Sequence, residues 1–253
     1  MTCYPVSSPL TFLLIHGAWH SGPSWNRVRA HLENAGHTVH NPSVPFEYSS
    51  GEKKGQPMHN LDESIQAILD YIEEHKLDQL VLVGHSWGGM VITSIATKIP
   101  QKIKRIVYHN AVVPSEGDCL FDVLPPFAKE FYGGIAAQSP NKTLLCPLPV
   151  FRDAFIGEAT LEEAEAAHKT LRQQPIGHWE HPVTNTEEFF AMPPKIPRSV
   201  IMADADVVVP FGMFESQALK LGVFRFIKMG GCHEVIFTDP EGLAKSIILA
   251  GRD

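Results

Sequence analysis

The sequence predicts an α/β domain built on a mainly parallel six-stranded sheet flanked by helices. Two observations favour this class. Short apolar runs rich in β-branched residues alternate with longer segments of helical period, and a chain of 253 residues is long enough to bury one large core. The strands are predicted at Phe12–Ile15, Thr38–His40, Leu80–Val83, Ile103–Tyr108, Ser199–Met202 and Phe224–Lys228.

Segments of helical period follow most of these strands. Asn60 is a suitable N-cap for the clearest of them. One face of this helix carries the apolar residues Leu61, Ile65, Ile68, Leu69 and Ile72. Further helices are predicted at Trp25–Ala35, Gly89–Lys98, Phe211–Leu221 and Pro240–Leu249.

Residues 114–197 break this alternation and are predicted to form an inserted cap, which leaves residues 1–113 and 198–253 as the core. Leu161–Gln174 is rich in helix formers, whereas proline pairs interrupt any longer element. Large aromatic residues favour a packed lid over a mobile loop; they are Phe127, Phe131, Phe151, Phe155, Trp179, Phe189 and Phe190. A lid over the carboxyl edge of the sheet would enclose a substrate pocket.

Charge and cysteine usage exclude several classes of partner. The net charge is −7, with 21 basic against 28 acidic residues, whereas nucleic-acid binding needs a clustered basic surface. No apolar run reaches the roughly eighteen residues of a membrane span, and the N-terminus lacks a signal-peptide pattern. The four scattered cysteines predict free thiols in the cytoplasm. The sequence leaves open whether the chain is a monomer or a homodimer.

The segment Gly84-His85-Ser86-Trp87-Gly88 matches the G-x-S-x-G pattern of a nucleophile elbow. It follows the apolar strand Leu80–Val83 and precedes the helical stretch Met90–Lys98, which is the context that the pattern requires. Small flanking residues let the chain reverse tightly and hold the serine hydroxyl above the sheet. We therefore predict an α/β-hydrolase fold in which Ser86 is the nucleophile.

A serine hydroxyl needs a base within hydrogen-bond reach and a carboxylate that orients this base. In this fold the acid and the histidine follow the serine along the chain. His233 is the only histidine after His181 and follows the last predicted strand, so it is the predicted base.

Two residues compete for the role of the acid. Asp204 and Asp206 both follow the strand Ser199–Met202, and spacing alone cannot separate them. Asp206 is preferred because it stands four residues before Pro210, whose ring favours a turn into the next helix. Asp204 would then cap or solvate the end of the strand.

The anion that forms in acyl transfer needs two backbone donors, one after the serine and one in a loop near the first strand. Trp87 and Ala18 hold these positions. Gly17 permits a bend that would point the Ala18 amide inward. Gly17 and His109 are also predicted to contact the substrate, with a buried structural role as the alternative for His109.

Thirteen histidines invite a metal hypothesis, but their spacing does not favour one. The pairs His16/His20 and His178/His181 lack the helix-borne His-Glu-x-x-His arrangement of a zinc hydrolase. We therefore predict no metal site. Cys232, beside the predicted base, is expected to be a packing residue.

Together these motifs resemble the plant methylesterase and hydroxynitrile lyase family of α/β-hydrolases, which also includes bacterial and fungal esterases. The resemblance runs the length of the chain and rests on Leu14-Ile15-His16-Gly17-Ala18-Trp19, Leu32–Val39, Val83-Gly84-His85-Ser86-Trp87-Gly88-Gly89, Val107-Tyr108-His109-Asn110-Ala111 and Gly230-Gly231-Cys232-His233. It implies a Ser86–Asp206–His233 triad, an oxyanion hole at the Ala18 and Trp87 amides, and no cofactor.

The chain departs from this family at four positions. Cys232 stands where the plant enzymes commonly have aspartate, and Trp87 replaces the usual leucine. The lyases carry a lysine after the catalytic histidine and a threonine beside the oxyanion loop, where this chain has Glu234 and Gly17. The resemblance therefore implies ester hydrolysis without cyanide release.

The leading hypothesis is a serine hydrolase that cleaves a small carboxylic ester, methyl esters and lactones included, through an acyl-enzyme. One alternative keeps the triad but cleaves a hydroxynitrile or a carbon–carbon bond. Another is a small-molecule-binding receptor with residual esterase activity, against which an intact triad counts.

Overall fold

The computed structural model describes residues 8–191, 194–208, 212–223 and 225–252. The strands in these ranges are β1 Thr11–Ile15, β2 Thr38–His40, β3 Leu80–His85, β4 Ile103–His109, β5 Thr143–Leu144, β6 Gln174–Pro175, β7 Arg198–Ala203 and β8 Arg225–Met229. One parallel six-stranded sheet has the order β2-β1-β3-β4-β7-β8, while β5 and β6 form a separate antiparallel pair.

The α-helices of the same ranges are α1 Asn26–Asn34, α2 Leu61–Glu74, α3 Gly88–Lys98, α4 Leu120–Val123, α5 Pro126–Gln138, α6 Leu148–Val150, α7 Leu161–His168, α8 Gly177–Glu180, α9 Glu187–Phe190, α10 Met213–Leu221, α11 Val235–Thr238 and α12 Pro240–Gly251. Short 3₁₀ turns cover Gly22–Trp25 and Pro100–Lys102, and a π-helical turn covers Phe151–Phe155. In the described part of the chain, no helix has the length and apolar character needed to cross a bilayer.

Strand β3 lies in the middle of the sheet and is buried along its whole length. Leu80 and Leu82 belong to one apolar cluster, which includes the buried faces of α2 and α3. Val81 and Val83 point the other way and belong to a second cluster with residues of α1 and α12. Because helices cover both faces, the functional side chains of this sheet emerge at the ends of its strands.

The predicted strands are confirmed, with their ends displaced by at most two residues. The helix after Asn60 is also confirmed: the Asn60 side chain accepts a hydrogen bond from the amide of Asp62 at 2.8 Å, which caps α2. Of the apolar residues assigned to its face, only Leu69 is half-buried rather than buried. Phe211 and Phe224, the first residues of a predicted helix and strand, lie outside the described residues.

The stretch that is rich in helix formers is helical only in its first part. Leu161–Gln174 does not form a continuous helix, because α7 ends at His168 and Gln174 belongs to strand β6. The residue before a proline avoids the helical conformation, and Pro175 imposes this on Gln174. The Gln174 side chain in addition accepts a hydrogen bond from the amide of Trp19 at 3.1 Å, which ties this segment to the loop after β1.

The stretch between β4 and β7 contains α4 to α9 and the β5–β6 pair, and most of its aromatic side chains are inside the protein. Phe151, Phe155 and Trp179 are buried, as the packed-lid interpretation expects. Phe127 and Phe131 are instead 70% and 41% exposed. The first of them lies at the rim of the cavity described below.

Candidate active site

Ser86 lies at the sharp turn between β3 and α3, with a φ of 53°. This left-handed conformation is unfavourable for a residue with a side chain and persists only where the surroundings impose it. Here the amide of Ser86 donates to the carbonyl of His109 at 3.2 Å, and its carbonyl accepts from the amides of Gly89 and Val112 at 3.0 and 3.2 Å. The backbone on both sides of the turn therefore fixes the serine.

The two glycines of the G-x-S-x-G motif are required by close backbone contacts. A Cβ atom at Gly84 would lie 2.8 Å from the carbonyl oxygen of Gly88. A Cβ atom at Gly88 would lie 2.8 Å from the carbonyl oxygen of His16, in the loop after β1. Side chains at these positions would push α3 away from the sheet and move the serine.

His233 connects the serine to an acidic residue. Its Nε2 atom lies 2.9 Å from the Oγ of Ser86, and its Nδ1 atom lies 2.7 Å from Oδ2 of Asp206. Because a carboxylate only accepts hydrogen bonds, Nδ1 carries the proton and Nε2 is free to accept from the serine hydroxyl. This is the tautomer that a general base needs.

The structure distinguishes the two aspartates that follow β7. The Asp206 side chain is fully buried beside His233, and its second oxygen accepts from the amide of Val208 at 2.9 Å. Asp204 is exposed, and its amide donates to the carbonyl of Met229 at the end of β8. Asp206, and not Asp204, therefore lies in contact with the imidazole.

The pKa of His233 is raised above the ordinary histidine value. Burial by itself lowers this pKa, but the negative charge of Asp206, its hydrogen bond to the ring and the charge of Glu234 outweigh the effect of burial. The protonated ring that would form during proton transfer from Ser86 is thus stabilised by its neighbours.

Ala18 and Trp87 line the same cavity as Ser86 and His233. Within the described ranges, neither of these two amides donates a hydrogen bond to a backbone or side-chain acceptor. The next residue, Trp19, has a φ of 63°, and its carbonyl accepts from the amide of Arg172. The Trp19 amide donates to the Gln174 side chain, so both backbone polar groups of the residue after Ala18 hold the loop in place.

The cavity above Ser86 has a volume of about 150 Å³ and a largely apolar lining, part of which is aromatic. Trp19, Tyr132 and Trp179 contact one another with ring centroids 5.0–5.5 Å apart, and Phe155 packs on Trp19. None of the described lining residues is an aspartate, glutamate, lysine or arginine. The cavity therefore suits a small uncharged molecule.

The two predicted substrate contacts are not supported by the structure. His109 is completely buried under the serine turn, where its ring stacks on His85 with centroids 5.2 Å apart, and burial lowers its pKa to about 3. Gly17 does not line the cavity either. A Cβ atom at this position would lie 2.9 Å from the His85 ring, so the glycine provides close packing of the loop.

Asn110 is a site residue whose role the sequence did not reveal. It lines the cavity, and its Oδ1 accepts from the amide of Ala203 at 2.8 Å, while its Nδ2 donates to the carbonyl of His233 at 3.3 Å. It thereby connects the ends of β4 and β7 with the loop that carries His233. A positive φ of 42° and its place directly after β4 are the local features that distinguish it.

A group of titratable side chains includes His233 and its neighbours. Nitrogen atoms of His85 and His233 and a carboxylate oxygen of Glu234 all lie within 4.8 Å of one another. Both ring nitrogens of His233 are already in contact with Asp206 and Ser86, so a metal ion bound through His233 would have to replace one of these contacts. Neither ring nitrogen of His233 is therefore free for a metal ion in this geometry.

The sequence model of the alpha/beta hydrolase family matches residues 12–246. A carbendazim hydrolyzing esterase from Nocardioides sp. (strain SG-4G) is 30% identical over 247 residues, which cover 95% of this chain and 99% of the relative. Methylesterase 7 of Arabidopsis thaliana is 35% identical over 256 residues, with 94% of each chain covered. The expected relation to plant methylesterases, hydroxynitrile lyase and bacterial esterases is confirmed.

Among solved structures, an extracellular alpha/beta-hydrolase from a Paenibacillus species is similar over 97% of this chain and 100% of its own, with a TM-score of 0.87 and 32% identity. That protein is described as sharing structural and functional homology with tobacco salicylic acid binding protein 2. The predicted α/β-hydrolase fold, with its six-stranded parallel sheet flanked by helices, is confirmed by this similarity.

Proposed function

Since the chain belongs to the alpha/beta hydrolase family, we propose that it is a serine hydrolase that cleaves a small, uncharged carboxylic ester. The observation that carries this proposal is the pair of short contacts, 2.9 Å from Ser86 to His233 and 2.7 Å from His233 to Asp206, at the floor of an apolar cavity.

The proposed reaction begins with proton transfer from the Oγ of Ser86 to Nε2 of His233 as the serine attacks the ester carbonyl. The amides of Ala18 and Trp87 donate to the oxygen that becomes negative. His233 then gives its proton to the departing alcohol, which leaves an acyl group on Ser86. A water molecule, deprotonated by His233, attacks this acyl group; the bond from the acyl carbon to Oγ of Ser86 then breaks, His233 returns the proton to Oγ, and the acid is released.

The size of the cavity limits the substrate. A volume of about 150 Å³ holds roughly one benzene ring, so the enclosed part of the ester is a small acyl or alkoxy group. A larger second group would extend past the exposed Phe127 towards solvent. Relatives described as a carbendazim esterase, a pyrethroid hydrolase and methylesterases support an ester of this kind.

We also propose that residues 114–197 form a cap on a core made of residues 1–113 and 198–253. The positions of Leu120, Tyr132, Phe155 and Trp179 in the cavity wall support this division. For the compartment we propose the cytoplasm, which is supported by the unpaired thiols of Cys119, Cys146 and Cys232 among the described residues. Cys3 lies outside those residues.

A panel of p-nitrophenyl esters, methyl esters and lactones tests the proposed function. We expect turnover of the shortest acyl chains to be fastest and to fall as the acyl chain outgrows the cavity. Binding of an ester without turnover by the wild-type protein would favour a receptor instead. Ser86→Ala serves as the matched control for spontaneous and contaminating hydrolysis.

A further inference from the structure

Glu234 directly follows His233 and is 1% exposed, although it does not line the cavity. Its amide donates to the carbonyl of Phe155 at 3.0 Å, and its carbonyl accepts from the amide of Phe237 at 2.9 Å. An ionised carboxylate is costly to bury unless another charge or hydrogen-bond donor compensates for it. The proposed reaction does not use this carboxylate, so its burial beside His233 needs an explanation.

The partner of Glu234 is His20, in the loop after β1. Oε2 of Glu234 lies 3.3 Å from Nε2 of His20, close enough for an ion pair although the two groups are not aligned for a hydrogen bond. Nδ1 of the same ring lies 2.7 Å from the carbonyl oxygen of Ala18. Both nitrogens of His20 thus face oxygen atoms, one of the Glu234 carboxylate and one of the Ala18 backbone.

The charge of Glu234 is held close to His233. An oxygen of its carboxylate and ring nitrogens of His85 and His233 lie within 4.8 Å of one another. Burial raises the pKa of Glu234, but the attraction of the histidines, His20 first, outweighs it and lowers the pKa to about 2. The carboxylate is therefore ionised throughout the neutral pH range.

The other titratable groups that face Glu234 are uncharged near neutral pH. Burial lowers the pKa of His85, at the end of β3, well below its ordinary value. Burial likewise raises the pKa of the Cys146 thiol, which lies before α6, to about 12. His109, stacked on the far side of His85, has a pKa of about 3. The carboxylate of Glu234 therefore faces the Asp206–His233 pair across a region in which His85, Cys146 and His109 carry no charge.

We propose that Glu234 is a positioning residue for His233: its fixed negative charge strengthens the imidazole as a base and stabilises the imidazolium that forms when Ser86 attacks. This inference rests on the proposed ester hydrolysis. The proton moves from Oγ of Ser86 to Nε2 of His233, while the Nδ1 proton stays hydrogen-bonded to Asp206. Glu234 takes up no proton and acts through the electrostatic potential at the ring.

The pH dependence of kcat/KM tests this role in the Glu234→Gln variant, with p-nitrophenyl acetate as the substrate. The glutamine amide has nearly the shape of the carboxylate and can keep a polar contact with Nε2 of His20, while it removes the negative charge. We expect the acid limb of the profile, which reports protonation of His233, to move to lower pH by about one unit. We also expect the plateau at high pH to fall about tenfold, because the base is weaker.

Glu158→Gln is the matched control. Glu158 is exposed, and its Oε2 accepts from the amide of Cys232 at 3.1 Å, so this variant changes a carboxylate to an amide beside the same loop. We expect its acid limb to coincide with that of the wild-type protein. A thermal melt of each variant checks that it folds. If Glu234→Gln does not fold, the same pH profile is measured with Glu234→Met, whose side chain is uncharged and of similar volume.

A folded Glu234 variant with an unmoved acid limb overturns the inference, even if its plateau is lower, because removing a charge that acts on the His233 ring has to change the pKa of that ring. Failure of the proposed function gives a different result, since the wild-type protein itself then shows no Ser86-dependent turnover. The two failures are therefore separate outcomes of one experiment.

Discussion

The carboxylate of Asp206 lies 2.7 Å from Nδ1 of His233, and water reaches neither side chain to a significant extent. In such a buried contact the carboxylate both fixes the direction of the ring and raises its pKa. The opposite nitrogen lies 2.9 Å from Ser86. The first two predictions concern the two ends of this hydrogen-bonded chain.

Ser86→Ala is expected to abolish ester turnover while the protein stays folded. Removing the nucleophile of a triad costs on the order of 10⁴ to 10⁶ in rate. The matched control is Ser94→Ala on α3, because Ser94 is a buried serine whose hydroxyl donates to the carbonyl of Met90. Initial rates of p-nitrophenyl acetate hydrolysis are measured for both variants and for the wild-type protein. A Ser86→Ala protein that keeps a tenth of the wild-type rate would rule out Ser86 as the nucleophile.

Asp206→Asn is expected to reduce kcat by about 10⁴, because an asparagine amide no longer holds the histidine in the required tautomer. Asp204→Asn is the natural comparison, since Asp204 is exposed and lies two residues away. We expect it to change kcat less than threefold. The acid assignment fails if the Asp204 variant shows the larger loss while both proteins melt at the wild-type temperature.

Buried neutral histidines are expected to make the fold sensitive to acid. Burial lowers the pKa values of His16, His109 and His178 to about 3, below the ordinary value of 6.5. The unfolded chain therefore binds more protons than the folded chain between these values, and stability falls as the pH drops below 6.5 towards 3. Between about pH 7 and 5 we expect the Tm to fall by several degrees.

His109→Phe provides the check on this explanation. Both ring nitrogens of His109 lack a hydrogen-bond partner among the described residues, so a phenylalanine loses no such bond while it removes one titrating group. The decline of Tm with falling pH should become less steep in this variant. His59→Asn, at an exposed histidine, should leave the slope unchanged. Equal slopes in all three proteins would contradict the buried-histidine explanation.

Cyanide release from mandelonitrile or acetone cyanohydrin is expected to stay at the spontaneous rate. The site has no lysine to stabilise a departing cyanide, since the residue after His233 is Glu234, and it is buried against His20. The hydroxynitrile lyases that the chain resembles carry a threonine beside the oxyanion loop. This chain has Gly17 there, which offers no hydroxyl. The assay is run at mildly acidic pH, where the spontaneous reaction is slow. Substantial release that disappears in Ser86→Ala would make lyase chemistry the better assignment.

Much of the fold follows from local sequence patterns. The strand Leu80–His85, the turn at Ser86 and the helix α3 are encoded within about twenty consecutive residues, so periodicity and the motif are enough to predict them. The choice between Asp204 and Asp206 is different. It depends on the amide of Asp204 being held by Met229 of the neighbouring strand, a contact that spacing along the chain cannot reveal.

The walls of the cavity and the Glu234–His20 contact beside His233 could not be predicted either, because they too depend on contacts between residues far apart in the sequence. Gln174 reaches the amide of Trp19 across 155 positions of sequence, and Glu234 reaches His20 from the opposite end of the chain. His109 was predicted to contact the substrate because it ends a strand at the correct edge of the sheet. In the structure, the ring of His109 is buried and stacks on the ring of His85.

The backbone contacts of Trp19 have a consequence for protein engineering. Residues 172 and 174, from the stretch between β4 and β7, hydrogen-bond to the carbonyl and the amide of the residue directly after Ala18. A chimera that takes this stretch from a relative would therefore replace the cavity wall. It would also replace two contacts that hold the loop of Ala18 and Trp19 in place. Such chimeras would change reaction rate and substrate preference jointly, and the two properties could be separated only by grafting around positions 172–174.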